Sequence, residues 1–228
     1  MNQKGLLGNI NSYSNIKEDK RMECSTQVIC VEHLQKGKYK VCLDSGESFI
    51  LYRGEIRGLG LQEGDSLPEE MYQHIRKDII GKRAKKRALY LLEKMDRTES
   101  QLREKLEASE YPQLCIEDAI AYVYKYHYLD DLRYAKNYIR YQQDSLSRQQ
   151  IKQKLMAKGI SRENIQQALI EEYSGDETTQ ISKLLQKKHY QGEGKDTAEF
   201  RKIYQYLLRR GFRSSDILRE MDRIHSLS

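Results

Sequence analysis

Adjacent carboxylates at Asp130 and Asp131 are the first residues in this chain that could do chemistry, since two acids side by side can hold a cation or trade a proton. They stand just ahead of a helical pattern, however, and consecutive residues at a helix start point in different directions. One then serves as the N-cap and the other complements the positive end of the helix dipole. Gly192-Glu193-Gly194-Lys195-Asp196-Thr197 has the look of a phosphate loop. That motif needs glycine where His189 stands, Ser or Thr where Asp196 stands, and a preceding strand. The segment reads instead as a flexible connection between helices. His33, His74, His127, His189 and His225 have no spacing that suggests a triad or a metal site. Cys24, Cys30, Cys42 and Cys115 include no C-x-x-C pair and read as plain thiols of a reducing compartment. The expectation is a protein without catalytic residues, metal or cofactor.

What remains is charge and aromatic surface. Lys and Arg number 40 against 34 Asp and Glu, a net +6 over a background in which 32% of residues are charged. This hints at a polyanionic partner. Lys82, Arg83, Lys85, Lys86 and Arg87 lie within one helical stretch, and Arg201, Lys202, Arg209, Arg210 and Arg213 gather near the end of the chain. With Lys158, these are the candidate contacts to nucleic acid or another polyanion. The competing reading is a solvated face, with Lys158 and Arg210 complementing helix C-termini. Tyrosines at 122, 124, 126, 128, 134, 138 and 141 suit stacking on splayed bases. Their four-residue spacing suits packing between helices equally well, and packing is the favoured reading.

The elements that carry these residues are repeated. Leu102, Leu106, Ile116, Ala119 and Ile120 align without a gap on Ile151, Leu155, Ile165, Ala168 and Leu169. Ile151, Leu155, Gly159, Ile160 and Ile165 align in turn on Ile203, Leu207, Gly211, Phe212 and Ile217. Such periodicity marks a supersecondary unit that buries its apolar face only against its neighbours. The fold class is therefore mainly α: tandem three-helix repeats forming an elongated array, led by a small N-terminal antiparallel β-meander. Residues 1–25 read as a flexible tail, 26–66 as the meander with the start of a linker helix, 67–129 as that helix and the first repeat, 130–173 as the second, and 174–228 as the third. The meander strands are expected at 28–33, 38–43 and 48–52, split by Lys36-Gly37 and Asp44-Ser45-Gly46-Glu47. Pro68-Glu69-Glu70 opens a helix. Thr98, Ser147, Ser161 and Thr197 or Glu199 start others, and Lys158-Gly159 and Arg210-Gly211-Phe212 stop them. Glu110-Tyr111-Pro112 replaces that glycine stop in the first repeat. No stretch approaches the roughly 18–20 apolar residues of a membrane span, so a cytosolic protein without membrane contact is expected.

These residues resemble the RecX family of regulatory proteins. The likeness rests on Tyr128-Leu129-Asp130-Asp131 with Arg133, Tyr134 and Ala135, then on Ile151, Leu155, Lys158, Gly159 and Ile160. Thr98-Glu99-Ser100-Gln101-Leu102 upstream and Leu208-Arg209-Arg210-Gly211-Phe212 downstream add to it. His127 stands where the family often has glycine, and Ser145-Leu146-Ser147 replaces another usual glycine. The resemblance implies a non-enzymatic protein that binds the RecA recombinase filament on single-stranded DNA and limits its growth, ATP hydrolysis and strand exchange, in the setting of DNA repair, recombination and the SOS response; a monomer is expected, since a capped array needs no partner to be soluble. A stand-alone, architectural nucleic-acid binder is the alternative.

Overall fold

The computed structural model describes residues 25–192 and 197–226. The tail expected at 1–25 and the connection expected around 193–196 lie outside the described residues, apart from Ser25. The chain divides into two compact units, one running through Glu93 and adding Arg103–Tyr126, the other made of Lys94–Leu102 and the residues from His127 onward.

In the first unit, β1 (Thr26–His33), β2 (Lys38–Leu43) and β3 (Ser48–Tyr52) form the antiparallel meander. A fourth strand, β4 (Ser66–Leu67), pairs with Thr26 and Gln27, giving the order β3-β2-β1-β4. Two residues are too few to show an alternating pattern, which is why the sequence points to three strands only. Val28, Val41, Leu43, Phe49, Leu51 and Leu67 are buried. Between β3 and β4 lies a short helix, α1 (Arg53–Leu59), that the sequence pattern does not announce. Its start is fixed by the Glu55 carboxylate accepting from the Tyr52 amide at 2.7 Å, and its end by Gly60 in the left-handed region at φ 64°. Pro68 then opens α2 (Glu69–His74), as its fixed φ and the acidic first turn require. The helix widens into a π-type stretch over Ile75–Gly81 and continues as α3 (Lys82–Lys94). Gly81 sits where an added Cβ would meet the Arg76 carbonyl at 3.0 Å, so a side chain there would crowd the widened turn.

The repeats are built from α3, α4 (Glu99–Glu107) and α5 (Gln113–Lys125); α6 (Asp131–Gln142), α7 (Arg148–Ala157) and α8 (Arg162–Glu172); and α9 (Glu177–Lys187), α10 (Ala198–Arg209) and α11 (Ser214–His225). The second repeat closes on Ala135, Ile139, Leu146, Ile151, Leu155, Ile160, Ile165, Ala168 and Leu169. The third closes on Ile181, Leu184, Leu185, Tyr190, Phe200, Ile203, Leu207, Phe212, Ile217 and Met221. Asp130, Ser147, Ser161, Asp176 and Thr197 each accept an amide hydrogen of the helix they precede, the N-cap role their short oxygen-bearing side chains suit. Arg140 to Glu172 and Lys136 to Glu171 tie α6 to α8.

The second helix of each repeat ends in the same way. The amide after the turn residue reaches back to the equivalent carbonyl: Tyr111 to Leu106, Ile160 to Leu155, Phe212 to Leu207. The turn residue itself is left-handed in all three, Gly159 at φ 81°, Gly211 at 78° and Glu110 at 59°. Glu110 thus keeps the geometry without glycine, at a steric cost of about 1–2 kcal/mol. His127, at φ 58°, shows why glycine suits that position too.

Candidate functional site

The basic stretch of α3 is not one uniform face. Arg83 leaves it: its guanidinium donates to both Glu55 carboxylate oxygens at 3.1 and 2.9 Å and to the Ile50 carbonyl, and lies 4.7 Å from the centre of the Tyr52 ring. With its side chain only 20% exposed, Arg83 fastens α3 to α1 and β3, which corrects its place among the candidate contacts. Lys82 is exposed and pairs with Asp78 at 3.0 Å, a contact that holds the Asp78 carboxyl below its usual range. Lys85 lies over Tyr122, Arg87 over Tyr90, and Lys86 is exposed.

In the second unit two joints repeat. The Thr98 hydroxyl, at the start of α4, donates to the Lys158 carbonyl at the end of α7 at 2.7 Å. The Ser147 amide, at the start of α7, donates to the Arg210 carbonyl at the end of α10 at 3.1 Å. Each glycine turn is pressed against the helix start it meets. A Cβ on Gly159 would lie 2.3 Å from the Ser100 Cβ, and one on Gly211 would lie 2.6 Å from the Ser147 hydroxyl. The C-terminal turn of one helix is therefore seated on the start of another, with a carbonyl of the first accepting from a donor of the second.

Asp131 belongs to the first of these joints. It does not merely complement its own helix: its carboxylate accepts from the Glu99 amide at 2.9 Å and so caps α4. Burial raises its pKa, and the Glu99 amide opposes that rise. Asp130 caps α6 through the Arg133 amide at 2.9 Å. At the second joint Arg210 donates to the Ser145 carbonyl at 2.6 Å and lies 4.5 Å over Tyr206, so its charge is engaged within the joint. Phe212 is buried in the core of the third repeat.

The cations left facing solvent in this unit are more useful for binding. Arg201, Lys202 and Arg209 are exposed on α10, and Lys158 hangs over Tyr134 and Tyr138. Arg213 is exposed and lines a cleft of ≈ 610 Å³ together with Arg148, Lys152 and Tyr173. Arg148 and Lys152 are one turn apart on α7, and nothing in the sequence singles them out because neither belongs to a run of cations. Glu177 also lines this cleft and accepts from the Arg148 amide at 3.0 Å. Three cations and an aromatic ring facing one hollow suit a phosphate-bearing chain. The tyrosines divide: Tyr122 packs on Tyr126, and Tyr134 and Tyr138 are half-buried, whereas Tyr124, Tyr126, Tyr128 and Tyr141 are 36–83% exposed. Packing accounts for only part of the set.

Among the described residues no three His, Cys, Asp or Glu side chains come together as a metal-holding group, and no helix is long and apolar enough to cross a membrane.

Comparison with known proteins agrees with this construction. Models of the first, second and third three-helix domains of RecX match residues 84–122, 130–169 and 176–221. The regulatory protein RecX of Clostridium acetobutylicum is 31% identical over 80% of this chain and 88% of its own, and that of Clostridium beijerinckii is 27% identical over 80% and 87%. A crystal structure of regulatory protein RecX superposes with a TM-score of 0.54 at 26% identity, covering 87% of this chain and 98% of the other. Three domain matches in order, with relatives aligned along nearly their whole length, mean that this chain belongs to the RecX family of regulatory proteins.

Proposed function

We propose that this protein is a non-enzymatic, cytoplasmic regulator that binds the RecA recombinase filament on single-stranded DNA and lowers its ATPase and strand-exchange activity. The observation that carries the reading is the pair of matching joints within the second unit, in which the Thr98 hydroxyl and the Ser147 amide donate to the carbonyls that end α7 and α10 and Arg148, Lys152, Arg201, Lys202, Arg209 and Arg213 are left available on the surface. Helices joined in this way within the second unit present cations at a set spacing, which suits a partner that is itself periodic and anionic. Lys82, Lys85, Lys86 and Arg87 extend the basic candidates, whereas Arg83 and Arg210 hold the fold together.

The test is steady-state ATP hydrolysis by RecA on single-stranded DNA with the protein titrated in. Inhibition at concentrations below those at which the protein binds the free strand supports action on the filament. Equal affinity for bare strand and filament, with unchanged turnover per bound RecA, would instead favour the architectural DNA binder.

A further inference from the structure

Cys30 on β1 and Cys42 on β2 are directly opposed in the antiparallel register, and their sulfur atoms are 2.9 Å apart. A break in that register brings them together. Val28 pairs with Leu43, yet Cys30 pairs with Cys42, so two residues on β1 oppose one on β2 and Ile29 is extruded to 52% exposure. Without the bulge, Cys30 would lie on the same face as buried Val28, because side chains alternate. With it, Cys30 is turned to the face that carries Cys42, opposite the one that buries Val28, Val41 and Leu43. Both thiols are partly exposed, and Ser48, the partner of Cys42 on β3, is exposed beside them.

We infer that Cys30 and Cys42 are a peroxide-responsive dithiol that closes into a reversible cross-strand disulfide. Opposed antiparallel residues have Cα separations of about 4.5–5.5 Å, within the range a disulfide spans, so closure needs no rearrangement of the strands. One sulfur, as thiolate, attacks an oxygen of a hydroperoxide, breaking the O–O bond, forming a sulfenic acid and releasing hydroxide, or alkoxide from an organic peroxide. The neighbouring sulfur then displaces the sulfenic oxygen, which leaves as water when the second thiol's proton is taken up, and the S–S bond forms. Both sulfurs are oxidised and the peroxide is reduced; a small dithiol reverses the bond by exchange. Cys115 is the internal contrast: it is buried, has no second thiol beside it among the described residues, and hydrogen-bonds the Arg76 carbonyl, and burial pushes its thiol up to about 11, whereas the Cys42 thiol is raised chiefly by its hydrogen bond with Cys30. The inference is independent of the filament reading.

The reduced full-length protein is exposed to hydrogen peroxide, free thiols are alkylated after denaturation, and peptides are mapped by mass. Cys30 and Cys42 should lose alkylation together, appear in one cross-linked peptide pair, and return to free thiols with dithiothreitol, while Cys115 remains alkylatable. Cys30→Ser should abolish the cross-link and leave Cys42 as a sulfenic acid that dimedone traps. Independent oxidation of Cys30 and Cys42, or bridging of either to Cys24 or to a second chain, would overturn the proposal. Mapping the natural protein decides the matter even if the serine variant folds poorly.

Discussion

Gly159→Ala probes the joint between α7 and α4 directly. Alanine at φ 81° carries the left-handed penalty of about 1–2 kcal/mol that any added Cβ brings. Here the new methyl would also lie 2.3 Å from the Ser100 Cβ and 2.6 Å from its hydroxyl, at the start of a helix that cannot yield as a flexible side-chain tip would. Overpacking of this kind costs a further ~1–3 kcal/mol. Displacing the turn also strains the hydrogen bond from Thr98 to the Lys158 carbonyl. The control is Gly46→Ala, where φ is 84° but nothing lies within 4 Å of the added atom. The two variants share the backbone penalty, so their difference of ~2 kcal/mol isolates the joint. At ~2–4 °C per kcal/mol for a chain of this size, the Gly159 variant should melt ~4–8 °C below the Gly46 variant. Thermal unfolding by circular dichroism measures this, and amide hydrogen exchange should show Glu99 and Gln101, at the start of α4, losing protection. Equal melting temperatures for the two variants would mean that the turn is not seated on α4 and that the repeats are held together by their apolar faces alone.

Other substitutions test separate parts of the argument. Arg83→Ala should cost about 2 kcal/mol in urea unfolding, because it strands the half-buried Glu55 carboxylate, whereas exposed Lys86→Ala should stay within about 0.5 kcal/mol of the natural protein. Asp176 is held down to about 2 by hydrogen bonds from Thr178 and Thr179, so its stabilising effect is full above its usual value of 3.8 and fades as pH falls through about 2. Asp176→Asn keeps a cap that does not titrate, and its melting temperature should fall less steeply over that acid window. Reversing Arg148, Lys152 and Arg213 to Glu should weaken binding to single-stranded DNA or its RecA filament and flatten the slope of log affinity against log salt by roughly 0.7 for each phosphate no longer neutralised. Unchanged affinity and slope would make the cleft a solvated hollow.

Much of the fold is written locally. Helix caps at Asp130, Ser147 and Ser161, the stops at Gly159 and Gly211, and the apolar stripe of Ile165, Ala168 and Leu169 follow from side-chain size, hydrogen-bonding capacity and period, all of which act within a few residues. What spacing does not disclose is a partner far along the chain. Asp131 caps a helix that begins 32 residues before it, and Arg83 spends its charge on Glu55, 28 residues away. In sequence the first is one half of an acidic pair and the second is one of a run of cations. Arg148 and Lys152 escape notice for the opposite reason, since only folding brings them to the same hollow as Arg213. Cys30 and Cys42 look unrelated until the bulge aligns them.

The joint also sets a rule for how such a chain can lengthen. The second helix of a repeat carries a socket at its start, where a hydroxyl or an amide donates, and a plug at its end, where a left-handed turn offers a carbonyl. A duplicated segment arrives with both halves already matched to its parent. Tandem copying therefore yields a compatible interface at once, before any surface residue has had time to adapt, and the outward-facing side chains are left to diverge toward different partners.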